Sequence, residues 1–548
     1  MLTYHKSLVT DINILPDRAY YIPSGAKYTE LTQWNFTYFP EETDEIFSCF
    51  GKETVVPSCW QIERKQDIQY TNVRFPFPYC PPDILKANPC GVYVTNLNVK
   101  EILSDKQFYI NFDGVDSCYY LYVNGSFVSY CSISHRHSES NITNYLRVGD
   151  NELRVIVFKW NCSSYLEDQD KIRLSGIFNK VYILERNTDH ICNYRIDTSL
   201  TSQNEAIVSI TSDKNCNYAL SVDEKNIVKE SGITATFVIK SPNLWSAEIP
   251  NLYKLNIEYN EETIYENVGI RKIEIKNKQV LLNGKPIKLY GVNRHSMTIN
   301  GYVETEDDLV NDILLLKKLN VNAVRTSHYP PSPRFPALCD KYGLYLMEEA
   351  DCECHGVVTQ NGSDGTEDYS LYCDIAKNPI FCEQIVKRAT SMVVRDYNRP
   401  SVIFWSLGNE SGWGDNFVQS GKAVKRLDTS RLLHYEGTFN YLFKRIGNKI
   451  FHHERIMDVY SCMYAPKELV KQLLPFLSRP LVLCEYSHAM GNSCGDLKDY
   501  WRILGDSPKF VGGFIWEMIN HSIIDGDKVL YGGDFGDNQN DSNFCMDG

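Results

Sequence analysis

Short runs in which apolar and polar positions alternate fill the first half of the chain. Between about residues 50 and 187 they include Phe108-Tyr109-Ile110-Asn111-Phe112, Cys118-Tyr119-Tyr120-Leu121-Tyr122-Val123 and Glu152-Leu153-Arg154-Val155-Ile156-Val157-Phe158. A period of two is that of strands with one buried face. Turn residues separate the runs, Asn124-Gly125 being a good hairpin signal, and no helix of normal length intervenes. Residues 1–187 are therefore expected to form a jelly-roll β-sandwich. Strands continue over residues 188–275 but are more polar, as in Ala206-Ile207-Val208-Ser209-Ile210, Ala235-Thr236-Phe237-Val238-Ile239 and Tyr253-Lys254-Leu255-Asn256-Ile257-Glu258-Tyr259. So short a set of strands predicts a small immunoglobulin-like sandwich.

After residue 276 strand and helix patterns alternate. Apolar runs at 287–292, 321–325, 344–349, 402–407, 432–436, 457–461, 481–485 and 513–516 read as eight strands. Between them lie helical patterns such as 305–319, opened by the capping signal Thr305-x-x-Asp308 and carrying Leu309, Ile313 and Leu316, and 379–397. Eight strands alternating with helices predict a (β/α)8 TIM barrel over 276–548. The chain stops at Gly548, where a closing eighth helix is expected, so the barrel is read as lacking its last helix, by natural truncation or as part of a longer product.

Two of these runs end in an acid. Ser401-Val402-Ile403-Phe404-Trp405-Ser406-Leu407-Gly408-Asn409 leads to Glu410, and Pro480-Leu481-Val482-Leu483-Cys484 to Glu485. A barrel gathers the C-terminal ends of its strands at one mouth, where its chemistry is done. A carboxylate pair facing one sugar is the minimum equipment for breaking a glycosidic bond, by retention at about 5–5.5 Å separation and by inversion at a wider gap.

Composition narrows the partners. The net charge of −13 repels a phosphate backbone and no Lys/Arg block offsets it, so no nucleic-acid partner is expected. The N-terminus lacks a continuous apolar run and no stretch is apolar for the length of a membrane span, which reads as a cytoplasmic protein without a membrane partner. The 18 cysteines are scattered, many in apolar runs, as reduced buried thiols are. Cys352-Glu353-Cys354-His355 invites a zinc reading, but structural zinc sites usually use Cys-x-x-Cys and a second ligand pair, which is not found nearby.

Asn409-Glu410 after its apolar strand, Cys484-Glu485-Tyr486-Ser487-His488-Ala489-Met490-Gly491-Asn492-Ser493, and Asn322-Ala323-Val324-Arg325-Thr326-Ser327-His328-Tyr329-Pro330 together resemble the β-galactosidases of glycoside hydrolase family two. The likeness runs from about Pro57-Ser58-Cys59-Trp60-Gln61 to Gly548 and implies the same order of jelly roll, immunoglobulin-like domain and barrel. It implies Glu410 as general acid/base, Glu485 as nucleophile, and Tyr464 beside the nucleophile. His295, His328 and His488 would contact the sugar or the transition state, with Asn409 next to the acid. Arg325 would position the nucleophile or stabilise its charge. Trp516 would floor the sugar pocket, an aromatic face suiting the C–H face of a pyranose. Asn72 and Asp170 would reach in from the first domain. The resemblance also implies a magnesium site at Glu353, His355 and Glu410, and a sodium site at Asp170, the Phe544 carbonyl and Asp547.

Several positions depart from the family pattern. Asp547 stands where Asn is usual, Glu517 where Asp is common, and Asp351 where Asn is usual; Ser296-Met297-Thr298 follows His295 in place of an acid and further histidines. None removes a catalytic group. The expectation is a retaining β-galactosidase acting on small β-galactosides such as lactose, as a homo-oligomer or with a small-subunit partner. Two alternatives remain open: a large subunit or fragment inactive without its partner chain, and a β-glucuronidase.

Overall fold

The computed structural model describes residues 3–222, 226–360, 366–438, 456–492 and 494–546. The first domain packs a seven-stranded antiparallel sheet against a four-stranded one. Between them lie Trp34, Ile110, Leu121, Val155 and Ile183, all buried. Cys118–Val123 and Ser126–Cys131 form the expected hairpin, Asn124 (φ 50°) and Gly125 (φ 77°) making its turn. The sandwich also recruits Asp11–Ile12, Lys27–Glu30 and Gln33–Phe39, part-exposed strands whose pattern is too weak to read from sequence. A separate pair, Gln69–Thr71 with Lys171–Arg173, carries Asn72 and Asp170 towards the barrel.

The middle domain is a five-stranded antiparallel unit of the immunoglobulin-like kind. Its longest strand, Glu205–Ser221, changes register between Thr211 and Cys216, so that its second half also pairs with Tyr253–Tyr259. Trp245, in the loop that precedes Tyr253–Tyr259, is buried and donates its Nε1 hydrogen to the Asp340 carbonyl at 2.9 Å, which seats this domain on the barrel.

The barrel strands are β1 (Leu289–Arg294), β2 (Ala323–Thr326), β3 (Tyr345–Glu349), β4 (Val402–Ser406), β5 (Leu432–His434), β6 (Tyr460–Met463), β7 (Leu481–Tyr486) and β8 (Phe510–Ile515). All seven pairings are parallel, in the order β5-β4-β3-β2-β1-β8-β7-β6, a barrel closed except between β5 and β6 among the described residues. Around it lie α1 (Glu306–Lys318), α2 (Arg334–Tyr342), α3 (Cys382–Asp396), α4 (Asp415–Leu427), α5 (Lys467–Leu473) and α6 (Leu497–Leu504). Helix α1 opens on the expected capping box, Asp308 N donating to Thr305 Oγ1 at 3.2 Å and Thr305 N to Asp308 Oδ2 at 2.9 Å, and it buries Leu309, Ile313 and Leu316. Helix α3 begins later than its pattern because Pro379–Phe381 forms a 3-10 turn.

After β8 the described residues form a hairpin, Ile523–Asp525 with Lys528–Leu530, and a 3-10 turn, Ser542–Cys545, with no α-helix. This segment clasps the first domain: Asp537 and Asp541 accept from the backbone N–H groups of Tyr70 (3.1 Å) and Asn72 (2.7 Å), and Asp541 pairs with Arg74. The 18 cysteines are free thiols, and no helix among the described residues is long and apolar enough to cross a membrane.

Candidate active site

Glu485 is the penultimate residue of β7 and is buried. Arg325, at the end of β2 and wholly buried, donates from Nη1 to Glu485 Oε1 at 2.7 Å, and Tyr464, just past β6, donates its hydroxyl to Glu485 Oε2 at 2.8 Å. Both carboxylate oxygens thus accept a hydrogen bond, one of them charge-assisted. Arg325 is itself fixed on its other side: Glu349, ending β3, accepts from Nε (2.8 Å) and Nη2 (3.0 Å), and Asn293 Oδ1 from Nη1 (3.1 Å). Burial opposes charge on Glu349, but Arg325 and His328 outweigh it and hold the carboxyl at about 2. His328 Nδ1 lies 2.7 Å from Glu349 Oε1, and its ring stacks 5.2 Å from Trp516. Four strands therefore lock one carboxylate in place.

Glu410 follows β4 and has φ 27°, in the left-handed region. Its Oε2 lies 2.9 Å from His355 Nδ1, close but without the alignment of a hydrogen bond. Burial would raise the Glu410 pKa, yet the imidazolium of His355 pulls it below the ordinary value; burial disfavours that imidazolium, and Glu410 restores it to about 9. The pair therefore holds one proton near neutral pH. Asn409 bridges the two halves, accepting from Arg325 Nη2 at 2.9 Å and donating to Glu353 Oε2 at 3.0 Å.

Glu485 is shifted the other way: burial raises it, Arg325 and His328 counter this, and the charge of Glu410 adds to the rise. Alone, these shifts would make Glu485 the acid and Glu410 the anion. The hydrogen bonds oppose a proton on Glu485, because it would have to displace a bond from Arg325, which is always charged, or from Tyr464.

The outer residues gather at the same mouth. Trp516 follows β8 and is buried; His488 follows β7 and is part-exposed, its ring 6.4 Å from Trp516, 5.7 Å from Tyr464 and 5.5 Å from Phe544. His295, just past β1, is fully enclosed among His328, Tyr329, Trp516 and His521. From the first domain, the backbone at Glu167 pairs with that at Glu353, and Asp170 accepts from the Tyr70 hydroxyl at 2.6 Å. Burial pushes Asp170 up to about 7. Asp547 lies outside the described residues.

Sequence reasoning missed Glu349, Asn293 and Glu436. Glu436, past β5, is buried and pushed up to about 8 by burial and then by Glu410, so it belongs to the same acidic pocket.

Three family descriptions match in order: "Glycosyl hydrolases family 2, sugar binding domain" over residues 31–187, "Glycosyl hydrolases family 2" over 170–271, and "Glycosyl hydrolases family 2, TIM barrel domain" over 273–548. A β-galactosidase of Staphylococcus xylosus is 39% identical across 100% of this chain and 58% of its own length. One from Actinobacillus pleuropneumoniae is 38% identical across 98% of this chain and 57% of its own. The chain thus spans a little over half the length of the curated relatives it matches. Among solved structures, a Ruminococcus gnavus β-glucuronidase superposes with TM-score 0.75 at 18% identity, covering 94% of this chain and 96% of that one. That of Dictyoglomus thermophilum gives 0.71 at 18%, with 92% of each chain covered. At such identity these two speak for the fold alone.

Proposed function

The chain belongs to family 2 of the glycosyl hydrolases, and on that premise we propose that it is a retaining β-galactosidase, hydrolysing terminal β-D-galactosides such as lactose by double displacement. The observation that carries this reading is Glu485 held between Arg325 and Tyr464, with Glu410 set apart beside His355. Glu485, oriented and ionised, attacks the anomeric carbon while Glu410 gives a proton to the departing oxygen. In the second half Glu410 takes a proton from the water that releases the sugar, and both carboxyls return to their starting states. Charge on the developing oxocarbenium ion faces the Glu485 carboxylate, and Trp516 offers an aromatic face for the ring. Asn72, Asp170, His328, Asn409 and His488 complete the proposed sugar-contact set, whereas His295, expected there, is enclosed behind Trp516 and supports that ring instead.

The donor set fits cations. Glu353 Oε1 is buried without a hydrogen-bond partner and His355 Nδ1 lacks an aligned one, so with Glu410 they would hold Mg²⁺ in competition with the imidazole proton. Bound there, such an ion supplies positive charge that fixes Glu410 and tunes its proton affinity. Asp170, with the Phe544 carbonyl and Asp547, would hold Na⁺.

The β-glucuronidase reading is weaker on charge. Glu410, Glu353, Glu436 and Asp170 already load the pocket with acid, burial pushing Asp170 to about 7 and Glu436 to about 8. A sugar carboxylate would bring a further acid among carboxyls whose charged form burial already opposes, whereas a galactoside is neutral. Hydrolysis of an aryl β-galactoside and an aryl β-glucuronide by the purified chain decides between them: faster galactoside cleavage supports the proposal, and faster glucuronide cleavage overturns it. If the folded chain cleaves neither, the reading passes to a subunit that needs a partner chain.

A further inference from the structure

Behind Trp516 lies a group of side chains that the two-carboxylate chemistry does not use. His295 follows β1, while Glu517 and His521 follow β8; all three are buried, at 0%, 8% and 1% exposure, and one ligand atom from each falls within 4.8 Å of the others. His521 Nε2 stands 3.2 Å from Glu517 Oε2, and the rings of His521 and His295 have centroids 4.2 Å apart at 81°. His295 Nδ1 lies 3.0 Å from the Tyr329 hydroxyl. Its Nε2 is buried without a hydrogen-bond partner.

We propose that His295, Glu517 and His521 form a second metal site, separate from Glu353 and His355 and suited to a first-row divalent ion such as Zn²⁺. Two imidazoles and one carboxylate are a borderline-soft set that Mg²⁺ seldom selects and Zn²⁺ commonly takes, with a fourth position left for water. Zinc bonds of about 2.0–2.1 Å place tetrahedral ligand atoms about 3.4 Å apart. His521 and Glu517 already stand at about that spacing, and the His295 nitrogen, within 4.8 Å of both, would need to close the remaining distance on binding. A hydrogen bond from His295 Nδ1–H to the Tyr329 oxygen would fix the tautomer that leaves Nε2 as the ligand, the second-shell arrangement common to metal-bound histidines.

The ion would tie the loop after β1 to the loop after β8. Glu517 adjoins Trp516, and His295 packs edge-on to both Trp516 (5.5 Å) and His328 (5.5 Å), so the site would hold the pocket floor in position rather than take part in bond cleavage. It does not depend on the hydrolytic reading.

The test uses the full chain, stripped with a chelator, saturated with Mg²⁺ to occupy the other site, and then titrated with Zn²⁺. One equivalent of Zn²⁺ should stay with the protein through gel filtration, both in the unmodified chain and in Glu353→Gln. In His521→Gln and Glu517→Gln, binding should weaken at least about tenfold. Co²⁺ in place of Zn²⁺ should give the strong visible bands of four-coordinate geometry, lost in the same two variants. Should His521→Gln fail to fold by circular dichroism, Glu517→Gln carries the comparison. No retained Zn²⁺ under excess Mg²⁺ would overturn the proposal. So would Zn²⁺ binding that Glu353→Gln abolishes while His521→Gln and Glu517→Gln leave it intact.

Discussion

The two sides of the pocket are built differently. Around Glu485 the barrel supplies a partner for each functional group: Arg325 and Tyr464 hold the carboxylate, while Glu349 and Asn293 hold Arg325. Around Glu410 carboxyls crowd together, and one of their oxygens lacks a hydrogen-bond partner. Glu353 Oε1 is buried without one, and Asp170 and Glu436 are carboxyls that burial pushes up to about 7 and 8. One side is preorganised by the chain alone; the other gathers carboxyls whose charged form burial opposes, and which the proposed cations would help to ionise. A nucleophile must meet the anomeric carbon in one orientation, which favours rigidity. A group that gives and regains a proton needs adjustable affinity, which a neighbouring cation supplies.

The contrast breaks most severely at Glu485. Glu485→Gln should lower kcat on an aryl galactoside by at least about 10⁴-fold while thermal melting stays near that of the unmodified chain. A loss under tenfold would remove Glu485 from the chemistry.

Next comes Glu349→Gln, which leaves Arg325 free to swing. A fall in kcat of about 10²-fold with little change in KM is expected, because orientation and not sugar binding is lost. Stability shifts too, with a sign that pH reveals. The folded Glu349 pKa, about 2, lies below its ordinary 4.5, so its contribution is fully present above pH 4.5 and disappears as pH falls towards 2. The variant's melting deficit should therefore be largest near neutrality and close on acidification. A deficit that stays constant with pH would mean that packing, not charge, is responsible.

On the other side, Glu353→Gln should cost about 10- to 100-fold on substrates with poor leaving groups and abolish any response to Mg²⁺. Activated aryl galactosides should be spared, since they need less help from a proton. Equal losses on both substrate types would contradict the division of labour.

The smallest effect has the opposite sign to that of Glu349. Burial raises Asp170 to about 7 from an ordinary 3.8, so the charged form destabilises the fold at high pH and the penalty lifts as pH falls through 7. In sodium-free buffer at pH 8, Asp170→Asn should gain about 1–2 kcal/mol, a modest figure because the residue keeps some solvent contact, and the gain should vanish below pH 4. Calorimetric melting across this range reads the trend directly.

Much of this was legible from the residues. Buried parallel strands announce themselves as apolar runs, so β4 and β7 fell within a residue of their expected limits and delivered both acids to the mouth. The capping box fixed α1 for a similarly local reason. The supports of Arg325 were harder to see. In Leu346-Met347-Glu348-Glu349 both acids are buried at the end of β3, but pleating sends Glu348 outward to Arg395 at 3.0 Å and Glu349 inward to Arg325. The run alone does not reveal which faces the axis. The missing signal was the ladder: β2 lies beside β3, so an inward arginine on one requires an acid from the other. The cluster of His295, Glu517 and His521 was hidden for a related reason, because β1 and β8 meet only when the barrel closes.

The most decisive measurement is trapping with an activated 2-deoxy-2-fluoro-β-galactoside, whose fluorine slows both formation and release of a glycosyl-enzyme while its good leaving group restores the rate of formation, so that the intermediate accumulates. Peptide mass spectrometry should find one fluorosugar per chain, attached to Glu485. Rapid turnover without any adduct, or an adduct on Glu410, would contradict the picture of a fixed nucleophile facing an adjustable acid.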